Sequence, residues 1–405
     1  LRYADVVVRE PETRRLMITV NAALRRSLHA PALLLLLVLG ACASTPKKSV
    51  TTAAAPIVAP TPAAAPAVPP TVVASPLPEA PTPFDLERED IRAFIEEVST
   101  KNSIPVADIR ALLAQGMHQP RIIAAITRPA ESVLRWFEYS NRLVSAERVA
   151  RGVEFARGQS ARLEAVHTKT GVSPEYIVAI IGIETNYGRN KGSWRVLDAL
   201  MTLGFNYPPR SRFFRAELEQ FLLLVREEKL DPLATLGSYA GAMGAPQFMP
   251  SSYRRYAVNG ALDGASDARR DLFDNWDDVI GSVANYFVEH GWQREQPAII
   301  AAETNADTMA LVMPTLDRRN LELNETAAGA RARGFALPES ISDDTRVILL
   351  PAELTDRANV RIGLRNFYVI TRYNRSILYA MAVHDLATAI AAELAKPAPP
   401  AIATP

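Results

Sequence analysis

The stretch Gly171–Gly188, GVSPEYIVAIIGIETNYG, sets the strongest limit on how this chain can fold. Ser173 followed by Pro174 marks a helix start: the serine hydroxyl can accept an early helical N–H, and the N–H that proline lacks has no intrahelical partner at the first position anyway. From Tyr176 to Ile183 every residue is apolar apart from Gly182, so no face of this helix suits water and other elements must enclose it on all sides. Glu184 follows at once, one turn before Gly188, which reads as the helix terminus. Burial and the negative end of the helix dipole both disfavour an ionised carboxylate there, so its pKa is expected to rise. An acid that stays protonated near neutrality suits glycosidic cleavage, in which the leaving oxygen must receive a proton. The competing reading is a structural glutamate neutralised by Arg189 or Arg195, and the helix by itself leaves both open.

A second segment, Gly237–Tyr253 (GSYAGAMGAPQFMPSSY), places three glycines beside Ser238 and Gln247. Glycine lets a backbone approach a ligand closely, and a glutamine amide can both donate to and accept from an acetamido group. Packing of small residues would explain the glycines equally well.

The remaining periodicity is mostly helical from Phe84 to about Ile299, with helices expected near Leu86–Thr100, Val106–Ala114, Val133–Asn141 and Ala146–His167. Short strands are expected at Ala298–Ala301, Val347–Leu350 and Phe367–Thr371, and a last helix over Leu378–Leu394. The expected fold is mainly α (α+β): a helical domain over residues 84–160, a core over 161–292, a small β-rich insertion over 293–372, and a final core helix over 373–395.

The front of the chain reads as an address. From Met17 it runs through Arg25 and Arg26 into five consecutive leucines and ends Leu39-Gly40-Ala41-Cys42. This order resembles the lipobox of bacterial lipoproteins, which predicts a signal peptide within residues 1–41, an upstream extension before Met17, and lipidation of Cys42. Cys42 is the one cysteine, so no intramolecular disulfide can form. Eleven of the forty-one residues from Ala43 to Pro83 are proline, the composition of an extended tether, and Lys396–Pro405 reads as a disordered tail. A formal charge of +1 and no dominant basic block argue against a nucleic-acid partner. The five histidines show no metal-ligand spacing, and no nucleotide-binding pattern occurs.

Five segments together resemble the lytic murein transglycosylase B family, membrane-bound lytic transglycosylases on a lysozyme-like core. They are IIGIETNYG (180–188), LDALMTLGFNYP (197–208), AGAMGAPQFMPSSY (240–253), GSVANYF (281–287) and FYVITRYNRSILYAMAV (367–383). The resemblance implies cleavage of the β-1,4 bond between N-acetylmuramic acid and N-acetylglucosamine in peptidoglycan with formation of a 1,6-anhydro ring. It implies Glu184 as the single catalytic residue, Ser238 and Gln247 as contacts to the sugar and its N-acetyl group, and Tyr139, Tyr286, Tyr373 and Tyr379 around the cleavage site. A hydrolysing muramidase and a non-catalytic peptidoglycan-binding lipoprotein remain alternatives. Asp198, Glu217 and Asp231 are candidates for a second acid, each expected to be a solvated charge or helix cap. The resemblance also implies a periplasmic enzyme, with Ala43 after the anchor leaning toward the outer membrane; its cell-wall partners stay unnamed.

Some members of that family carry an EF-hand-like calcium loop before the GSVANYF motif. Here Asp263 and Asp267 fall at loop positions one and five, and Asp278 could close the site. Position three is Ala265, which offers no side-chain oxygen, and position six is Ala268 where a glycine is wanted. Structural calcium and a solvated acidic loop are both open, and no cofactor is expected for the reaction itself.

Overall fold

A computed structural model describes residues 80–127, 134–260 and 269–396. Cys42, the signal-like segment, most of the proline-rich tract and most of the tail lie outside these residues, as do Asp263 and Asp267. The chain opens with α1 (Glu89–Asn102) and α2 (Val106–Leu113). A two-residue ladder between β1 (Thr82–Pro83) and β2 (Met117–His118) precedes α3 (Pro120–Ile126). Then come α4 (Trp136–Leu143), α5 (Ala146–Gly158) and α6 (Ser160–Thr170). The stretch Ala146–His167, expected as one helix, is therefore two: it breaks at Gly158-Gln159, where glycine stabilises a helix poorly and Gln159 leaves helical geometry (φ −112°, ψ 14°).

The apolar stretch forms α7 (Pro174–Thr185), with Tyr176–Gly182 all buried. Its start departs from expectation in one detail: Ser173 occupies the cap position but its side chain makes no capping hydrogen bond. Next come α8 (Val196–Asn206), α9 (Ser211–Glu227), α10 (Pro250–Tyr256) and α11 (Trp276–Glu289); α9 packs on both α8 and α10, whereas α7 is enclosed by α5, α6, α11 and the last helix of the chain. The short pair β3 (Trp194–Arg195) and β4 (Leu236–Gly237) holds the loop before α8 against the loop after α9.

One continuous core runs from Ile91 in α1 to Ile390 in α15 (Ile377–Leu394). Ile177, Ile180 and Ile181 are fully enclosed in it, each contributing roughly 1.5–3 kcal/mol by burial. The β-rich part is a four-stranded antiparallel sheet in the order β5 (Ile299–Ala301), β8 (Val360–Gly363), β7 (Arg346–Pro351), β6 (Glu325–Thr326). Helices α12 (Ala306–Val312) and α13 (Ala327–Ala332) accompany it. Side chains alternate across a strand, and β7 uses both faces: Ile348 and Leu350 enter the main core, whereas Val347 and Leu349 join a second, smaller core with Phe335 and Ile362.

Phe367–Thr371, expected to be a strand, lies instead within α14 (Arg365–Tyr373). Its aromatic and β-branched residues favour strands locally, but Phe367 and Ile370 fall on one helical face and both go into the main core. Tertiary burial overrides local preference here.

Candidate active site

Helix α7 ends at Thr185, three residues before the expected terminus, because Asn186, Tyr187 and Gly188 all take left-handed backbone conformations (φ 50°, 61° and 79°). For tyrosine such a conformation costs roughly 1–2 kcal/mol. Burial of the Tyr187 ring offsets that cost. The ring fills space left by two glycines, since a Cβ on Gly182 or Gly152 would lie 2.6 Å from its atoms. Its hydroxyl donates to the carbonyl of Arg148 in α5 at 2.8 Å. Thr185 adds a second tie: its hydroxyl donates to Ala245 O (2.9 Å) and accepts from Gly188 N (3.0 Å), joining the helix end to the glycine-rich loop.

Glu184 thus sits on the last turn of a helix fixed from two directions. Its Oε1 accepts a hydrogen bond of 2.5 Å from the Tyr379 hydroxyl of α15. Among the described residues no cation pairs with it: Arg195, one of the two candidates, is engaged with Asp198 at 2.6 Å. Desolvation pushes the Glu184 pKa up to about 7, and the bond from Tyr379 opposes this only in part. Burial, with the nearby Glu184 charge as the next cause, holds the Tyr379 and Tyr373 hydroxyls well above the usual phenol range, so both stay protonated donors. Tyr139, itself buried, is close enough to Tyr379 to influence it electrostatically.

The other tyrosines form an aromatic wall whose hydroxyls are committed to backbone. Tyr373 donates to Pro246 O (2.7 Å), and Tyr286 in α11 donates to Arg372 O (2.6 Å). Their ring centroids lie 4.8 Å apart, and both pack on Phe248. In the glycine-rich loop, Gln247 is left-handed (φ 51°), and its Nε2 donates to Lys191 O and Gly244 O at 3.1 and 2.9 Å. Two carbonyl acceptors fix the amide orientation and leave Oε1 without a partner among the described residues. The Ser238 Oγ accepts from the Ala240 and Ala242 amides, which leaves its own proton to donate. The site therefore combines one protonatable carboxyl, a hydrogen-bonding hydroxyl and amide, and aromatic faces suited to the apolar side of a sugar.

Two of the three candidate second acids are not solvated charges, although one of them meets the other half of the expectation as a helix cap. Asp198 and Glu217 are buried, not solvated (2% and 5% exposed). The Asp198 oxygens are taken up by Arg195, Met117 N and Gln119. Glu217 accepts from Ser251 N (2.9 Å) and Ser251 Oγ (2.7 Å), so it caps the start of α10 from outside that helix. Asp231 meets the expectation as an exposed turn cap, accepting from Leu233 N at 2.8 Å. Asp278 is fully buried, with its oxygens accepting from Gly260 N (2.9 Å) and Asp271 N (2.6 Å). It fastens the two ends of the candidate calcium loop through N–H groups, a role that requires no cation. Sequence reasoning passed over Thr185 and Tyr187, although the helical glycines 152 and 182 mark the space that Tyr187 fills.

Residues 87–388 match a family model described as the transglycosylase SLT domain. The chain belongs to this transglycosylase family. Membrane-bound lytic murein transglycosylase B of Escherichia coli (strain K12) is 37% identical over 309 residues, which cover 74% of this chain and 81% of that protein. Among solved structures, catenated lytic transglycosylase SltB1 of Pseudomonas aeruginosa superposes with a TM-score of 0.70 at 42% identity, covering 76% of this chain and 98% of that one. The Escherichia coli lytic transglycosylase Slt35 in complex with calcium gives 0.68 at 34% identity, covering 78% and 97%. The transglycosylase is accordingly helix-rich and lysozyme-like, and it is an enzyme that cleaves the glycan strands of peptidoglycan.

Proposed function

We propose that Glu184 is the single acid and base of this lytic transglycosylase. The observation that supports the assignment is a carboxyl with its pKa raised to about 7, held by one phenol and paired with no cation among the described residues. In the protonated form Glu184 gives its proton to the oxygen bridging N-acetylmuramic acid and N-acetylglucosamine. The neighbouring N-acetyl oxygen stabilises the positive charge that develops at C1. The resulting carboxylate, steadied by the Tyr379 hydroxyl, removes the proton from the C6 hydroxyl of the same sugar. That oxygen attacks C1, and the product carries a 1,6-anhydro ring. One carboxyl suffices because the substrate supplies both the stabilising oxygen and the nucleophile.

Within this reading Ser238 and Gln247 hold the N-acetyl group with their uncommitted proton and oxygen. The partly exposed ring of Tyr373 lines the groove, the buried Tyr139 and Tyr286 back it from the core, and the Tyr286 and Tyr373 hydroxyls position backbone. We further propose lipid anchoring through Cys42 and a periplasmic setting at the outer membrane, in keeping with a relative named as membrane-bound. Glycan strands are the assigned partner. Calcium, which accompanies one structure of Slt35, carries no step of this reaction.

Incubation of intact sacculi with wild-type protein and with Glu184→Gln, followed by mass spectrometry, tests the proposal. Wild type is expected to release anhydro-muropeptides, lighter by one water than hydrolysis products, and the variant to bind strands without cutting them. Hydrated products would favour a muramidase; unchanged turnover by Glu184→Gln would remove Glu184 from the chemistry.

A further inference from the structure

Helices α7 and α15 are joined by two side-chain hydrogen bonds, one donor on each helix. At one end Tyr379 of α15 donates to Glu184 of α7 at 2.5 Å. At the other, the Tyr176 hydroxyl of α7 meets Nδ1 of His384 in α15 at 2.7 Å. Residue numbers rise along α7 as they fall along α15, so the pair is antiparallel, and the two bonds start eight residues or about 12 Å apart on α7. Between them every side chain is apolar: residues 177–183 read IVAIIGI and residues 380–383 read AMAV. Apolar burial holds these segments together but is non-directional, whereas a hydrogen bond weakens steeply with distance and angle. The register of α15 on α7 is therefore specified by the two bonds, and the second removes the freedom to pivot that either one alone would leave.

The surroundings settle the direction of the second bond. Burial, opposed by the Asp385 charge, lowers the His384 pKa to about 4, so the ring is neutral near neutral pH. Burial also raises the Tyr176 phenol, which keeps its proton and has no other acceptor among the described residues. The phenol donates, and Nδ1 accepts. Both partners are held from behind. Tyr176 meets the Trp292 ring edge-on at 5.1 Å, and Trp292 stacks on Phe287 of α11 while its Nε1 donates to Gly171 O. Asp385, next to His384, accepts two bonds from Arg361 of β8 (2.6 and 3.1 Å), and Arg361 lies over the Trp136 ring of α4.

We propose that Tyr176 and His384 are positioning residues for the reaction: their bond sets the register of α15 on α7 and so holds the Tyr379 hydroxyl against Glu184. Neither touches substrate in this role. The inference rests on the reading of Glu184 as acid and base. Its leverage is geometric, since a slide of about 1 Å stretches the 2.5 Å bond from Tyr379 to the limit of hydrogen bonding. The carboxylate formed after the first proton transfer would then lose the phenol that steadies it.

The test is a double-mutant cycle on solubilised peptidoglycan with Tyr176→Phe and Tyr379→Phe, assayed across pH at a temperature where all variants are folded. Tyr176→Phe is expected to lower kcat by about threefold to fivefold with KM unchanged, and to move the basic limb of the pH–rate profile upward, the direction set by loss of the Tyr379 bond. In the Tyr379→Phe background the same substitution should change kcat by less than about 1.5-fold, because no hydroxyl remains to be positioned. His384→Leu should reproduce the loss, whereas His384→Asn, which offers an amide oxygen near the place of Nδ1, should recover at least about half of wild-type kcat. Fully additive losses in the cycle, an unmoved basic limb in Tyr176→Phe, or equal kcat in the two His384 variants would each overturn the inference. Wild-type turnover by Glu184→Gln would instead remove the reading on which it rests; an inactive Glu184→Gln together with an additive cycle sinks the positioning role alone.

Discussion

Glu184 is half-buried and Glu217 buried, and for both desolvation is the largest influence on the pKa and pushes it upward. They differ in what faces them. Glu217 receives an N–H and an O–H from one serine, so its oxygens are spent on closing the start of α10. Glu184 receives one phenol and stands at a helix end beside a loop with an unspent amide oxygen and hydroxyl. Burial therefore raises an acid without giving it work; the number of protein donors already answering it decides whether substrate can.

The largest test of this contrast is activity. Glu184→Gln is expected to lower turnover of sacculi by about 10³- to 10⁴-fold, the scale of general acid and base catalysis, while strand binding is retained. Glu217→Gln should keep turnover within a few-fold at 25 °C but destabilise the fold by about 1–3 kcal/mol, because an amide turns a donor toward Ser251; chemical denaturation measures it. A smaller effect is expected from Tyr379→Phe. Its hydroxyl stabilises the Glu184 carboxylate, so its loss should slow the reaction by about tenfold and move the basic limb of the pH–rate profile, expected near pH 7 in wild type, to higher pH. Glu217→Gln should leave that limb in place. The last effect is on stability. With its folded pKa above the unfolded value, Glu184 binds its proton more tightly in the native state, so stability is lost as pH rises from about 4.5 to about 7. Thermal unfolding of Glu184→Gln should therefore show a Tm gain over wild type that is absent at pH 4 and grows toward pH 8.

Helix α7 and its shielded acid were legible in the sequence because the signal is local: an apolar run, a proline at its start and a carboxylate at its end. The sheet strands near 299 and 347 were legible for the same reason. Phe367–Thr371 was not, since its conformation is decided by a core assembled from residues far away in the chain. The tyrosines could be named, but not their hydroxyl partners. Tyr373 reaches Pro246 and Tyr286 reaches Arg372, contacts across 127 and 86 positions that no local pattern encodes. Asp198 was misjudged, and Glu217 met only the cap half of its expectation, because charge predicts exposure only until a specific donor set is built around it.

The ring seated between Gly152 and Gly182 has an evolutionary corollary. Enlarging either glycine while Tyr187 stays creates a clash, and shrinking Tyr187 alone opens a void, so the three positions are expected to change together or not at all across descendants. Drift in α5, a helix without a residue assigned to the chemistry, is in this way constrained by the acid it helps to aim.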